Sequence, residues 1–129
     1  MEINWVAVFA AAMSSFVLGG LWYGALFGNA WLKAAGLTRE QAMGANKALV
    51  FGGSFVLSLI AAATFVIFLG PDLDAATGAL YGLTAGLCWV ATSYGISYLF
   101  EMRPLQLWLI NGGYHTLQFT LIGAILGAF

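Results

Sequence analysis

Four charge-free stretches, residues 3–32, 48–71, 75–100 and 104–129, take up nearly all of the chain, and polar side chains are sparse within them. A helix needs about 20 apolar residues to cross about 30 Å of hydrocarbon, and each stretch exceeds that. The pattern predicts an all-α fold: a four-transmembrane-helix bundle forming a single integral membrane domain over residues 1–129. The spans are expected at roughly 3–27, 48–69, 75–99 and 105–128. A transmembrane β-barrel would show segments of alternating polarity, and none occur. The first loop, KAAGLTREQAMGANK, carries Thr38 and Gln41 in a capping-box pattern and is expected to form a short interfacial helix. In the second loop Pro71 stops a helix, and Asp72 or Asp74 is placed to cap the next. Pro104 falls in the first turn of the fourth helix, where its missing N–H costs little.

Composition sharpens the class. Of 129 residues, 62% are hydrophobic and 7% charged, against about 25% charged in soluble domains. The chain therefore lacks the polar surface of a water-facing globule. With four spans, Lys33, Arg39, Lys47 and Arg103 share one side, while Glu2, Asp72 and Asp74 lie on the other. The positive-inside rule puts the first and third loops in the cytoplasm and both termini outside it. Met1-Glu2 offers no basic region for a cleavable signal, so the first segment is expected to persist. Trp22, Tyr23, Trp31, Tyr98 and Trp108 gather toward the cytoplasmic ends and Trp5 toward the other, as interfacial rings would. Cys88, the sole cysteine, is expected to be a small packing residue.

Packing inside lipid relies on small residues. Gly20, Gly24 and Gly28 on the first helix form one stripe, Ser54, Ser58 and Ala62 on the second another, and Gly78, Gly82 and Gly86 on the third a further one. Having several such faces on one small chain predicts a homo-oligomer in membrane lipid.

The fourth helix carries the chain's most informative chemistry. At 100° per residue, Asn111, His115 and Gln118 share a face with Pro104, Trp108 and Ile122. Gly112, Gly113, Thr116, Thr120, Gly123 and Gly127 lie roughly opposite, and Leu107, Ile110, Tyr114, Leu117 and Leu121 form a flank suited to lipid. His115 follows Pro104 by eleven residues, about 16 Å at 1.5 Å per residue, which places it near the bilayer midplane. Ionisable groups at that depth are functional candidates.

Two function classes stay open. One is a small oligomeric channel or transporter whose polar path, for a small solute or a proton, is lined by Asn111, His115 and Gln118. The other is a structural or accessory membrane protein in which that face fixes helix packing or binds a partner. An enzyme is not expected: no acidic residue lies within the spans and no GxSxG elbow occurs, leaving Cys88 with His115 as a bare alternative. Neither a metal, a cofactor nor nucleic acid is implied.

The segments GGLWYGALFGNAW (residues 19–31) and FEMRPLQLWLINGGYH (residues 100–115) resemble the bacterial membrane family known as domain of unknown function 1761. The likeness covers essentially the whole chain and implies a bacterial cytoplasmic membrane location with the four-span layout. It supplies no substrate. It does draw attention to Trp22, Tyr23, Glu101, Arg103, Pro104 and Tyr114 beside Asn111 and His115.

Overall fold

The computed structural model describes residues 2–129, and these are all-helical, with no strand among them. The first rod is α1 (Trp5–Gly20), which runs on as a π-helical segment at Leu21–Leu26. Then come α2 (Gly28–Ala35) and α3 (Arg39–Met43), which make up most of the first connection, and the long α4 (Lys47–Leu69). The third rod is α5 (Ala75–Ala85), a second π-helical segment at Gly86–Ala91, and α6 (Thr92–Phe100). The fourth is α7 (Leu105–Ala128). Three of these rods, Trp5–Leu26, Lys47–Leu69 and Ala75–Phe100, are long and apolar enough to cross a membrane. At 24 residues α7 is also long enough, at 1.5 Å per residue. Gln106, Asn111, His115 and Gln118 lower its hydropathy.

Local chemistry explains where the helices begin. Asn4 caps α1 by accepting from the Ala7 N–H at 3.1 Å, and Asn46 caps α4 through Leu49 at 3.2 Å. Thr38 and Gln41 form the full capping box that opens α3. Asp74 accepts from the Thr77 N–H at 2.8 Å and caps α5, whereas Asp72 adopts a left-handed turn conformation, φ 68°. Pro104 stands at the N-cap of α7, one residue before its first turn. Gly36, at φ 74°, ends α2 in the left-handed conformation that suits glycine.

The Thr77 hydroxyl and backbone N–H beside Asp74 hold its carboxyl below the usual carboxylate range. A depressed folded-state pKa adds stability above the unfolded value, and this is lost as pH falls through the folded one. Acid should therefore weaken this helix start. Asp74→Asn should keep the cap but remove that part of the pH dependence, as read from thermal denaturation in detergent between about pH 7 and about pH 3.

At the centre lies α7, which packs against α1, α4 and the whole third rod, while α4 leans mainly on α1. Glycine makes the closest seam. A Cβ at Gly78 would strike the Gly123 carbonyl, one at Gly82 the Phe119 carbonyl, and one at Gly127 the Asp74 carbonyl. At Gly86 it would lie 2.7 Å from the His115 carbonyl oxygen. The small stripe of the third rod thus meets α7 of the same chain. Ser58 and Ala62 of α4 are likewise buried, although Ser54 is exposed.

Several expectations from the sequence need correction. Gly20 and Gly24 have nothing within 4 Å of where a Cβ would stand, and Gly28 meets only the backbone of Tyr23. The reason is local. The π-helical segment widens the turn after Gly20, so Trp22 and Tyr23 reach α7 while the glycines stay outside. Leu107 and Ile110, placed above on a lipid-facing flank, are 4% and 6% exposed, because α7 is covered on several sides. Tyr114 is half-buried against α1, where its hydroxyl donates to the Ser15 carbonyl at 2.9 Å. Leu117 of that flank is exposed as expected, and Leu109, not placed on it, is exposed as well. Cys88 is exposed rather than packed.

Polarity is divided along the bundle. One half holds the apolar core of Ala7, Val8, Ala11, Ala62, Phe65, Leu69, Ala85, Ile122 and Leu126. Glu2, Asn4, Asp72 and Phe129 gather around a cavity of about 240 Å³ at that end. At the other end the connections are clasped: an Arg103 guanidinium N–H donates to the Ala35 carbonyl at 3.3 Å, and Arg103 also pairs with Glu101 at 3.3 Å. Arg39 donates to Asn29 at 2.6 Å. The basic residues Arg39 and Arg103 are thus both engaged at the end opposite Glu2 and Asp72.

Candidate functional site

The half of the bundle nearest the basic end is packed with polar aromatic side chains, and α7 runs through them. Asn111 is their hub. Its Oδ1 accepts from the Tyr23 hydroxyl at 2.6 Å, and its Nδ2 donates to the Tyr98 hydroxyl at 2.7 Å. One amide thereby ties the first rod, the third rod and α7 together. His115, one turn further along, lies with Nδ1 2.6 Å from Oε1 of Gln118, whose side chain is 6% exposed. The imidazole stacks on Tyr94, centroids 5.0 Å apart at 15°, and meets Tyr114 edge-on at 4.9 Å and 69°.

The three polar residues expected to act together therefore form two groups, Tyr23–Asn111–Tyr98 and His115–Gln118. Rings join them. Tyr94 packs on Tyr98 at 5.5 Å, and Tyr114 packs on Tyr23 at 5.2 Å. Trp31 of α2 closes the cluster at the basic end against Tyr23, at 5.6 Å. Among the described residues no buried side-chain nitrogen or oxygen lacks a partner. No group of three or more His, Cys, Asp or Glu residues able to hold a metal ion occurs among them.

Both π-helical segments serve this region. The first carries Trp22, whose indole N–H donates to the Ile110 carbonyl at 2.8 Å, and Tyr23. The second ends at Ala91, whose carbonyl accepts from the Trp108 indole at 2.8 Å. Aromatic rings read from sequence as interfacial, Trp22, Tyr23, Tyr98 and Trp108, instead point inward and cross-link helices. Such π-segments recur at functional sites, because they release a carbonyl and re-aim side chains. Trp22→Phe and Trp108→Phe keep an aromatic ring, though a smaller one, and lose one interhelical hydrogen bond each. Each should cost about 1 kcal/mol in unfolding measured by steric trapping in bicelles.

Tyr94 and Ser15 were not singled out by the sequence, and Tyr98 was read only as an interfacial ring. A usable signal existed in SYGISY, where Tyr94 and Tyr98 stand four apart and so share a helix face. Glu101, Arg103 and Pro104 belong to the loop clasp. A second concavity, a groove of about 390 Å³ between the third rod and α7, is lined by Leu83, Leu87, Trp108, Leu109, Gly112 and Thr116 among others. Neither Asn111, His115 nor Gln118 reaches it.

No curated protein matches the chain, and no solved structure matches it. The profile of one family does match, over residues 6–127, which takes in every residue of the polar cluster. The chain belongs to the family described as protein of unknown function (DUF1761).

Proposed function

We propose that the chain is a four-span protein of the bacterial cytoplasmic membrane that carries a small hydrogen-bonding species, a solute or a proton, by way of the polar cluster on α7. One observation carries this reading: α7 places Asn111, His115 and Gln118 inside the bundle, in the half nearest the basic end, with an apolar core filling the other half. Polar groups at such depth are costly in hydrocarbon, and ionisable ones within spans mark candidate solute or proton paths. The seam of Gly78, Gly82, Gly123 and Gly127 already provides close helix packing. In this reading α7 is the fourth span, both termini lie outside the cytoplasm, and the loops bearing Lys33, Arg39, Lys47 and Arg103 lie within it. The exposed glycines Gly20 and Gly24 leave room for a second copy, in keeping with a homo-oligomer. No enzymatic activity is part of the reading.

A structural role is the second reading, favoured by the way Asn111 and His115 are hydrogen-bonded within one chain. Liposomes separate the two. Reconstituted protein should speed the dissipation of a pH gradient or the entry of small neutral solutes over empty vesicles, and His115→Gln should change that rate while leaving the fold intact. Wild-type vesicles indistinguishable from empty ones would favour the packing role.

A further inference from the structure

We propose that His115 is a reversible protonation site within the membrane, taking up its proton at Nε2 while Nδ1 stays bonded to Gln118. The idea deepens the transport reading above and rests on it for its physiological use. Geometry sets the starting state. An amide oxygen only accepts, so the 2.6 Å contact with Gln118 Oε1 requires the hydrogen on Nδ1 and leaves the lone pair of the neutral ring on Nε2. Gln118 is held in place by its burial within the bundle. Among the described residues no hydrogen bond occupies Nε2, and it is not among buried atoms lacking a partner, so the nitrogen retains some access.

No charged side chain in the spans fixes the ring in either charge state. The titratable groups against the imidazole are Tyr94 from α6 and Tyr114 from its own helix, with Tyr23 of the first rod behind Tyr114. Tyr98 of α6 stands behind Tyr94, α4 offers none within the membrane, and Tyr81 of α5 and Cys88 of the second π-helical segment are exposed. No Asp, Glu, Lys or Arg lies in the charge-free stretches, so no ion pair pins the ring charged or neutral. The Tyr94 face, parallel at 5.0 Å, offers a cation its favourable aromatic side. On uptake a hydronium ion gives its proton to the Nε2 lone pair, leaving water and an imidazolium. Release reverses the step, with Nδ1–H bonded to Gln118 throughout.

Because His115 is the only histidine, nitrogen-15 histidine labelling yields one spectrum from one site. In lipid nanodiscs the neutral ring should show the Nδ1–H tautomer and convert reversibly to imidazolium between roughly pH 8 and pH 4. Gln118→Met, which removes the acceptor, should shift the neutral population toward the Nε2–H tautomer. A wild-type ring in the Nε2–H tautomer, or one that stays neutral to about pH 4 in folded protein, overturns the proposal. Titration without flux in liposomes would uphold the protonation site and retire only the transport reading. Flux with a ring that does not titrate would do the reverse.

Discussion

Replacing Gly82 by leucine is expected to prevent α5 and α7 from meeting, with a loss of stability on the order of 3 kcal/mol or more. A Cβ at this position would overlap the Phe119 carbonyl and approach Thr120 Cα, both backbone atoms, so no side-chain rotation relieves the clash. Even Gly82→Ala should be strongly destabilising. Read from sequence, the Gly78, Gly82 and Gly86 stripe was one of several faces suggesting assembly between copies, and leucine at 82 would then have loosened an oligomer. The structure moves the effect inside the chain. Gly52→Leu is the control, since nothing lies within 4 Å of its Cβ position. It should unfold like the wild type in detergent, and equal behaviour of the Gly82 and Gly52 variants would contradict the packing described.

Asn111→Leu should show the second large effect. The substitution removes two hydrogen bonds linking three rods and leaves the hydroxyls of Tyr23 and Tyr98 without their partner. Membrane hydrogen bonds average about 0.6 kcal/mol and reach about 1.7, so a loss of about 2 kcal/mol is expected for the pair with its stranded hydroxyls. Tyr23→Phe removes one bond and should cost about half as much. In a double-mutant cycle the two substitutions should be non-additive, since each deletes the same 2.6 Å contact. Additive losses, measured by steric trapping, would show that this contact contributes nothing to stability.

Much of the architecture was legible because charge is so scarce. Each long helix falls in a charge-free stretch, with Lys47 the single charged residue inside one. Caps followed from short-range chemistry at Thr38 and Asp74. What periodicity missed has a common cause. An ideal turn of 3.6 residues was assumed throughout, whereas Leu21–Leu26 and Gly86–Ala91 are π-helical and shift the register after them. Within the first segment Trp22 and Tyr23 face inward, while Gly24, and Gly20 just ahead of it, lie outside. On α7 the helical period groups residues by face but leaves open which face meets a neighbour: Leu107, Ile110 and Tyr114 turn inward because partners far along the chain, as Ser15 with Tyr114 illustrates, cover that side. The candidate site was half legible: Asn111, His115 and Gln118 stood out as polar residues in an apolar run. Their tyrosine partners on the first and third rods did not, since aromatic rings are ordinary in membrane helices.

In the four-span reading proposed above, α7 crosses the bilayer despite its polar residues and carries His115 to the interior. Sidedness of the chain ends tests this most directly. In a Cys88→Ser background, single cysteines at Glu2 and Phe129 can be probed on intact cells with a membrane-impermeant maleimide, with a cysteine at Lys33 as the opposite-side control. Four spans predict labelling at both Glu2→Cys and Phe129→Cys and protection at Lys33→Cys. Labelling at one chain end only would mean that α7 does not cross, and would contradict the account.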